Sequence, residues 1–117
     1  MEEQPKELRN RSKRFERNGG VYNSKKEYDR YQELLALQRA GKIRNLERRV
    51  EMPLLPSQRD ENGYVIERAV SFVVDFAYFD IEQDKTIFED AKEVRSKEYI
   101  LKRKMMLYIH NIIVREV

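Results

Sequence analysis

The chain has 117 residues, 40% of them hydrophobic and 38% charged, with 24 Lys and Arg against 21 Asp and Glu for a net charge of +3. That describes one domain with a modest core and a strongly ionic surface. With no Cys and a single His, disulfides, thiolate zinc sites, a cysteine nucleophile and multi-histidine metal centres are excluded, so any catalysis runs on carboxylates, lysines, hydroxyls or a metal held by oxygen.

No run approaches the ~18 apolar residues that span a bilayer, and the opening MEEQPKELRN lacks the apolar stretch of a signal peptide. A cytosolic location is expected, with no membrane partner and no nucleotide cofactor. Residues 1–20 are polar and end in Gly19-Gly20, which predicts a basic flexible arm ahead of a domain over 21–117. Within the first 17 residues lie Lys6, Arg9, Arg11, Lys13, Arg14 and Arg17, against four Glu.

Ser24-Lys25-Lys26-Glu27 is a capping box that opens a helix from about Lys25 to Ala40, and Gly41 is placed to end it. At about 100° per residue, Tyr28, Tyr31, Leu34, Leu35 and Gln38 share one face. Glu27 falls on that face and Glu33 on the opposite one. Leu46 to Met52 predicts a short strand closed by Pro53 and Pro56, and Tyr64-Val65-Ile66 starts another extended piece after a polar loop. Ala69 to Phe79 is the most apolar segment, rich in Val and aromatics, and predicts a central strand. Asp80 to Lys85 is a polar turn, and Thr86 to Lys92 the partner strand. Ser96 caps a second helix from Lys97 to about His110, and Asn111 to Val117 reads as a final strand. The order is helix, three strands, helix, strand: a mixed α/β domain with a central sheet.

One acid stands out. Asp75 interrupts the apolar run VVDFAYF, where a charge costs several kcal/mol unless it is paired or metal-bound. With the turn at Asp80 to Lys85, Phe79 pairs with Thr86 and Asp75 lies opposite Asp90, their Cβ atoms about 5 Å apart on one face. Two facing carboxylates repel, and a divalent cation turns that repulsion into a binding site. Lys92 shares the face about 7 Å further along, where it can orient an attacking water or stabilise charge developing on a phosphate. Against this stands the plain reading that Asp-x-Lys is a chance match in a highly charged chain, Asp75 an edge acid paired with arginine, and Glu27 only a cap. Each is favoured taken singly; the combination favours a site.

The combination resembles a small phage and prophage family, catalogued as a domain of unknown function and placed among the restriction-endonuclease-like PD-(D/E)xK nucleases. The residues that carry the resemblance are Ser24 to Glu27 with Arg30 to Leu34, Arg39 to Ile43, Asn45 to Glu47, Val74 to Tyr78, Glu89 to Lys92, Tyr99 and Leu101 to Lys104. The resemblance spans about residues 22–117. It implies an αβββαβ core with a mixed sheet flanked by helices, Asp75 and Asp90 as metal-binding acids, Lys92 as the catalytic lysine, and Glu27 as an added helix-borne metal residue. Val74 stands where the family motif usually has Pro, and Glu93 follows the lysine.

The implied activity is a Mg²⁺-dependent (or Mn²⁺-dependent) endodeoxyribonuclease, with branched, recombination or replication intermediates among its candidate substrates and a host-cytoplasmic setting for a phage-encoded chain. The alternative is a noncatalytic DNA-binding or adaptor protein on the same fold, and a third reading is a structural or regulatory protein with solvated acids. Candidate phosphate contacts are Arg11, Lys13, Arg14, Arg17, Lys25, Lys26, Lys97, Lys102, Arg103 and Lys104. Cutting both strands with one site per chain favours a homodimer; a nicking monomer fits equally. His110 is expected as a surface or capping residue. Tyr99, Met105, Met106, Leu107, Tyr108 and Ile109 are expected as core and packing residues rather than a base-stacking platform, and Tyr22, Tyr28 and Tyr31 likewise, although Tyr22, outside the helix, could reach substrate.

Overall fold

The computed structural model describes residues 15–17 and 20–117. The predicted arm therefore lies largely outside the described residues, including Arg11, Lys13 and Arg14. Within it, strand β1 (Phe15–Arg17) pairs antiparallel with β2 (Gly20–Tyr22).

Helix α1 runs Lys25–Arg39. Its start is chemical: Ser24 Oγ accepts the Glu27 N–H at 3.1 Å, and Glu27 Oε1 reaches back to the Asn23 N–H at 2.7 Å. The return bond lands one residue before the usual capping-box donor. At the far end Gly41 takes φ +77°, and the N–H groups of Gly41 and Lys42 close on the carbonyls of Gln38 and Leu37 at 3.0 and 2.9 Å. This is a Schellman termination. Helix α2 spans Lys97–His110, capped by Ser96 Oγ on the Tyr99 N–H and ended by Asn111 in the left-handed conformation.

Between the helices lie β3 (Ile43–Leu55), β4 (Gln58–Arg59), β5 (Val65–Glu67), β6 (Val70–Asp80) and β7 (Lys85–Asp90), and after α2 comes β8 (Arg115–Glu116). The main sheet has the order β3-β6-β7-β8. β6 is antiparallel to both β3 and β7, while β8 runs parallel to β7. The sheet is thus mixed, and α1, β3, β6, β7, α2, β8 follow one another in the expected order. β4 and β5 form a separate hairpin.

Four boundaries move. β3 is much longer than the predicted Leu46–Met52, because pairing with β6 carries it past the unfavourable Pro53. β7 stops at Asp90, so Lys92 lies beyond the strand. The final strand shrinks to Arg115–Glu116, because the α2 cap at Asn111 must first turn the chain. The β6–β7 ladder extends to Asp80–Lys85, leaving a four-residue turn in which Asp84 has φ 57°.

The even-numbered residues of β6 supply the core in two halves. Phe72 and Val74 cluster with Leu54, Tyr99, Met106 and Val114. Phe76 and Tyr78 cluster with Leu34, Ile43 and Ile87. Asp75 lies in the chain between the two sets, among the odd-numbered positions, and is buried as well. The expectation that all six α2 residues are core is corrected: Tyr99 and Met106 are buried, but Leu107 and Ile109 are exposed and Tyr108 is 92% exposed. A helix that packs on one side buries positions seven apart, such as 99 and 106, and turns its other faces outward. No helix among the described residues is long and apolar enough to cross a membrane.

Candidate active site

Asp75 and Asp90 meet where the β6–β7 ladder ends. The last ladder pair towards them is Phe76–Glu89. At the next step the side chains replace the backbone: the Asp75 N–H donates to Asp90 Oδ1 at 2.8 Å, and the Ala91 N–H donates to Asp75 Oδ2 at 2.9 Å. Both acids are buried, at 6% and 0% exposure. Asp90 Oδ2 has no hydrogen-bond partner.

Electrostatics follow from this confinement. Burial pushes the Asp90 carboxyl up to about 7, with the Asp75 charge adding to the rise and the Asp75 N–H and Lys92 opposing it. Burial also raises Asp75; the Ala91 N–H opposes this, Glu27 adds to it, and Lys92 and Arg49 lower it. Four expected residues, Glu27, Asp75, Asp90 and Lys92, therefore share one local field.

Glu27 is inward as the helical angle predicts, at 1% exposure. Its Oε2 is buried with no hydrogen-bond partner. Arg48 and Arg49 stand 3.6 and 3.7 Å from that oxygen, near enough for ion pairing and too far for a good hydrogen bond. Glu33 is exposed and bridges to Arg30 at 2.8 Å. Lys92 is half-buried just past β7. Its Nζ rests 4.8 Å from the centre of the Tyr99 ring, and its carbonyl accepts from Lys26 Nζ at 2.8 Å.

Two features were missed in the sequence. One is Arg30, which clamps Glu89 through Nε–Oε1 at 2.9 Å and Nη2–Oε2 at 2.7 Å. Tyr78 Oη donates to the same carboxylate. Glu89 is fully buried and, next in chain to Asp90, anchors the end of β7. The other is the Arg48-Arg49 pair. The signal available was charge balance: inward Glu27 and Glu89 each demand a cation. Arg49 also has φ 55°, a left-handed conformation that costs an L-residue about 1–2 kcal/mol.

Of the basic candidates, Lys25 pairs with Asp29 at 2.8 Å and Lys102 with Glu98 at 3.0 Å. Arg103 is committed to Glu116 at 2.9 Å. Lys97 and Lys104 are exposed, and Arg17 lies in β1. Tyr22 packs, as its favoured reading expects, and does not reach out towards substrate: it is buried, edge-on to Tyr28 at 5.0 Å and beneath the Arg48 guanidinium at 4.1 Å. His110 Nε2 lies 2.6 Å from the Pro53 carbonyl; a carbonyl only accepts, so the ring donates and ties α2 to β3.

The donor set is all oxygen, suited to a hard cation. Among the described residues no group of three His, Asp or Glu is arranged to hold a metal ion as the side chains lie. Mg²⁺ does not demand such a cage, since it is commonly held by one or two carboxylates with waters and substrate phosphate completing its shell. The orphaned oxygens of Asp90 and Glu27 fit that mode.

Neither a curated protein nor a solved structure shows significant similarity to the chain. The family described as "Protein of unknown function (DUF1064)" matches residues 8–115. That span includes both helices, the main sheet as far as Arg115 and all four residues of the acid site, and the chain belongs to this family.

Proposed function

We propose that the protein is a metal-dependent endodeoxyribonuclease of the restriction-endonuclease-like PD-(D/E)xK class, hydrolysing DNA phosphodiester bonds, with branched intermediates among its substrates. The observation that carries this reading is a pair of buried acids, Asp75 and Asp90, one with an unsatisfied oxygen. Buried carboxylates left unpartnered are costly, and a bound divalent cation would offset that cost, as a proton does in the metal-free protein. The αβββαβ element order and the resemblance of the motif residues support the same class.

Asp75 and Asp90 would hold Mg²⁺ or Mn²⁺, with Glu27 completing the acid set directly or through water. When bound, the cation supplies Lewis-acid charge that offsets the negative charge of the scissile phosphate. The Asp75 N–H and Ala91 N–H fix the two carboxylates, so their geometry needs no reorganisation during reaction. Lys92, released from the Tyr99 ring, orients the attacking water and stabilises charge on the phosphate oxygens. Water adds to phosphorus and gives up a proton to bulk solvent, the opposite P–O bond breaks, and the leaving oxygen takes up a proton from solvent.

The test is incubation of supercoiled plasmid and a panel of linear and branched DNAs with Mg²⁺, Mn²⁺ or EDTA. Nicking or cleavage with metal and none with EDTA is expected; no cleavage of any substrate with either metal would sink the reading. The second reading, noncatalytic DNA binding, is favoured by one observation: Lys92 is parked on Tyr99. It predicts DNA binding that Asp75→Asn leaves unchanged.

A further inference from the structure

We propose that Arg49 is a substrate-positioning arginine that binds a DNA backbone phosphate at the acid site, stored on Glu27 in the free protein. This deepens the nuclease reading and rests on it for the identity of the ligand.

Position comes first. The β3–β6 ladder pairs Arg48 with Phe76 and Val50 with Val74, so Arg49 occupies the step opposite Asp75. Arg49 thus stands at the Asp75 step of the ladder, and its side chain reaches Glu27, with Nε 3.7 Å from Oε2. Its charge is felt there, since Arg49 opposes the rise in the Asp75 carboxyl.

The backbone is unusual at this step. Arg49 has φ 55° inside a long strand. Left-handed non-glycine residues persist only where the surroundings hold them, and they cluster at ligand sites. Arginine has no side-chain acceptor that could favour this conformation locally, as Asn has.

Availability separates Arg49 from its neighbour. Arg48 is committed: its guanidinium lies 4.1 Å from the Tyr22 ring centre, and Nη2 donates to the Val21 carbonyl at 2.7 Å. Arg49 is 39% exposed, and its Nε stands 3.7 Å from Glu27 Oε2. A single carboxylate oxygen faces two guanidinium groups and satisfies neither with a hydrogen bond. A planar five-donor fork, held loosely beside buried acids and reaching solvent, matches the tetrahedral phosphate group. Arg48 remains to balance Glu27 when Arg49 turns to the ligand.

The experiment uses Arg49→Gly, Arg49→Lys and wild type. Affinity for a short DNA duplex is read by fluorescence anisotropy in Ca²⁺ and in EDTA across a salt series, beside thermal melting and cleavage kinetics in Mg²⁺. Glycine tolerates φ 55°, so Arg49→Gly should melt no earlier than wild type. It should bind at least about tenfold more weakly in Ca²⁺, with KM raised and a salt slope shallower by about 0.9, the value for one lost phosphate contact. Arg49→Lys should regain part of the affinity. Wild-type affinity and slope in Arg49→Gly would overturn the role of Arg49 and leave the nuclease reading standing. Wild-type protein that binds DNA without cleaving it sinks the nuclease reading alone, and the binding arm still decides Arg49.

Discussion

The Asp75 N–H points at the Asp90 carboxylate from 2.8 Å, so the backbone beneath one buried acid is the hydrogen-bond donor that fixes the other. The Asp75 side chain in turn accepts the Ala91 N–H. Two acids are thereby pinned side by side at the end of a sheet ladder. Lys92 and Arg49 supply opposing positive charge at Asp75.

Asp90→Asn should abolish metal-dependent cleavage without unfolding the protein. The asparagine carbonyl still accepts the Asp75 N–H, and the repulsion is gone. The variant should melt at or above the wild-type temperature in EDTA. Asp75→Asn should behave alike, its amide oxygen accepting the Ala91 N–H. Wild-type turnover in either would remove that acid from the ligand set.

Acid titration carries its own signature. The Asp90 carboxyl is raised from 3.8 to about 7, so between those values the folded state holds a proton that the unfolded state has released. The metal-free protein should therefore lose stability as pH rises from about 4 to about 7, and Asp90→Asn should flatten that slope. Divalent cations compete with the same proton, so Mg²⁺ affinity should rise through this window. Calorimetric titration at several pH values checks both, and pH-independent Mg²⁺ affinity would count against Asp90 as a ligand.

Glu27→Gln separates capping from metal binding. Glutamine keeps an acceptor for the Asn23 N–H but loses the charge. Stability should hold within about 1 kcal/mol, while cleavage falls about tenfold or more and recovers partly with extra Mn²⁺. Glu33→Gln, on the exposed face, should cleave normally. Equal losses in the two variants would assign Glu27 no special role.

Arg30→Met should be the most destabilising of these changes, by about 3 kcal/mol in urea unfolding. It leaves the Glu89 carboxylate, at 0% exposure, with Tyr78 but no cation. Replacing both partners, Arg30→Met with Glu89→Leu, should recover part of the loss, because no charge is then stranded. A double variant no better than the single would show that the pair does more than balance charge.

Much of the framework was legible locally. Ser24 and Glu27 announced α1, Gly41 its end, and Ser96 the start of α2, because caps depend on a few adjacent residues and the helical hydrogen bonds they complete. The pairing of Phe79 with Thr86 followed from the polar turn, and with it the approach of Asp75 to Asp90. The inward Glu27 and outward Glu33 followed from helical geometry alone.

What only the tertiary structure decided depends on contacts between distant segments. Arg30 sits 59 residues from Glu89, and nothing in either neighbourhood marks the other as its partner. The left-handed conformation of Arg49 inside β3 is one that no local propensity for arginine encodes. Lys92 lies beyond the end of β7 and rests against the ring of Tyr99, which is seven residues further along in α2. The sequence by itself determined which residues begin and end the helices and which acids share a hairpin, since those are short-range constraints. Which cation answers each buried acid was settled by three-dimensional packing, since burial brings a cost that any nearby arginine can offset and the fold alone decides which one is near.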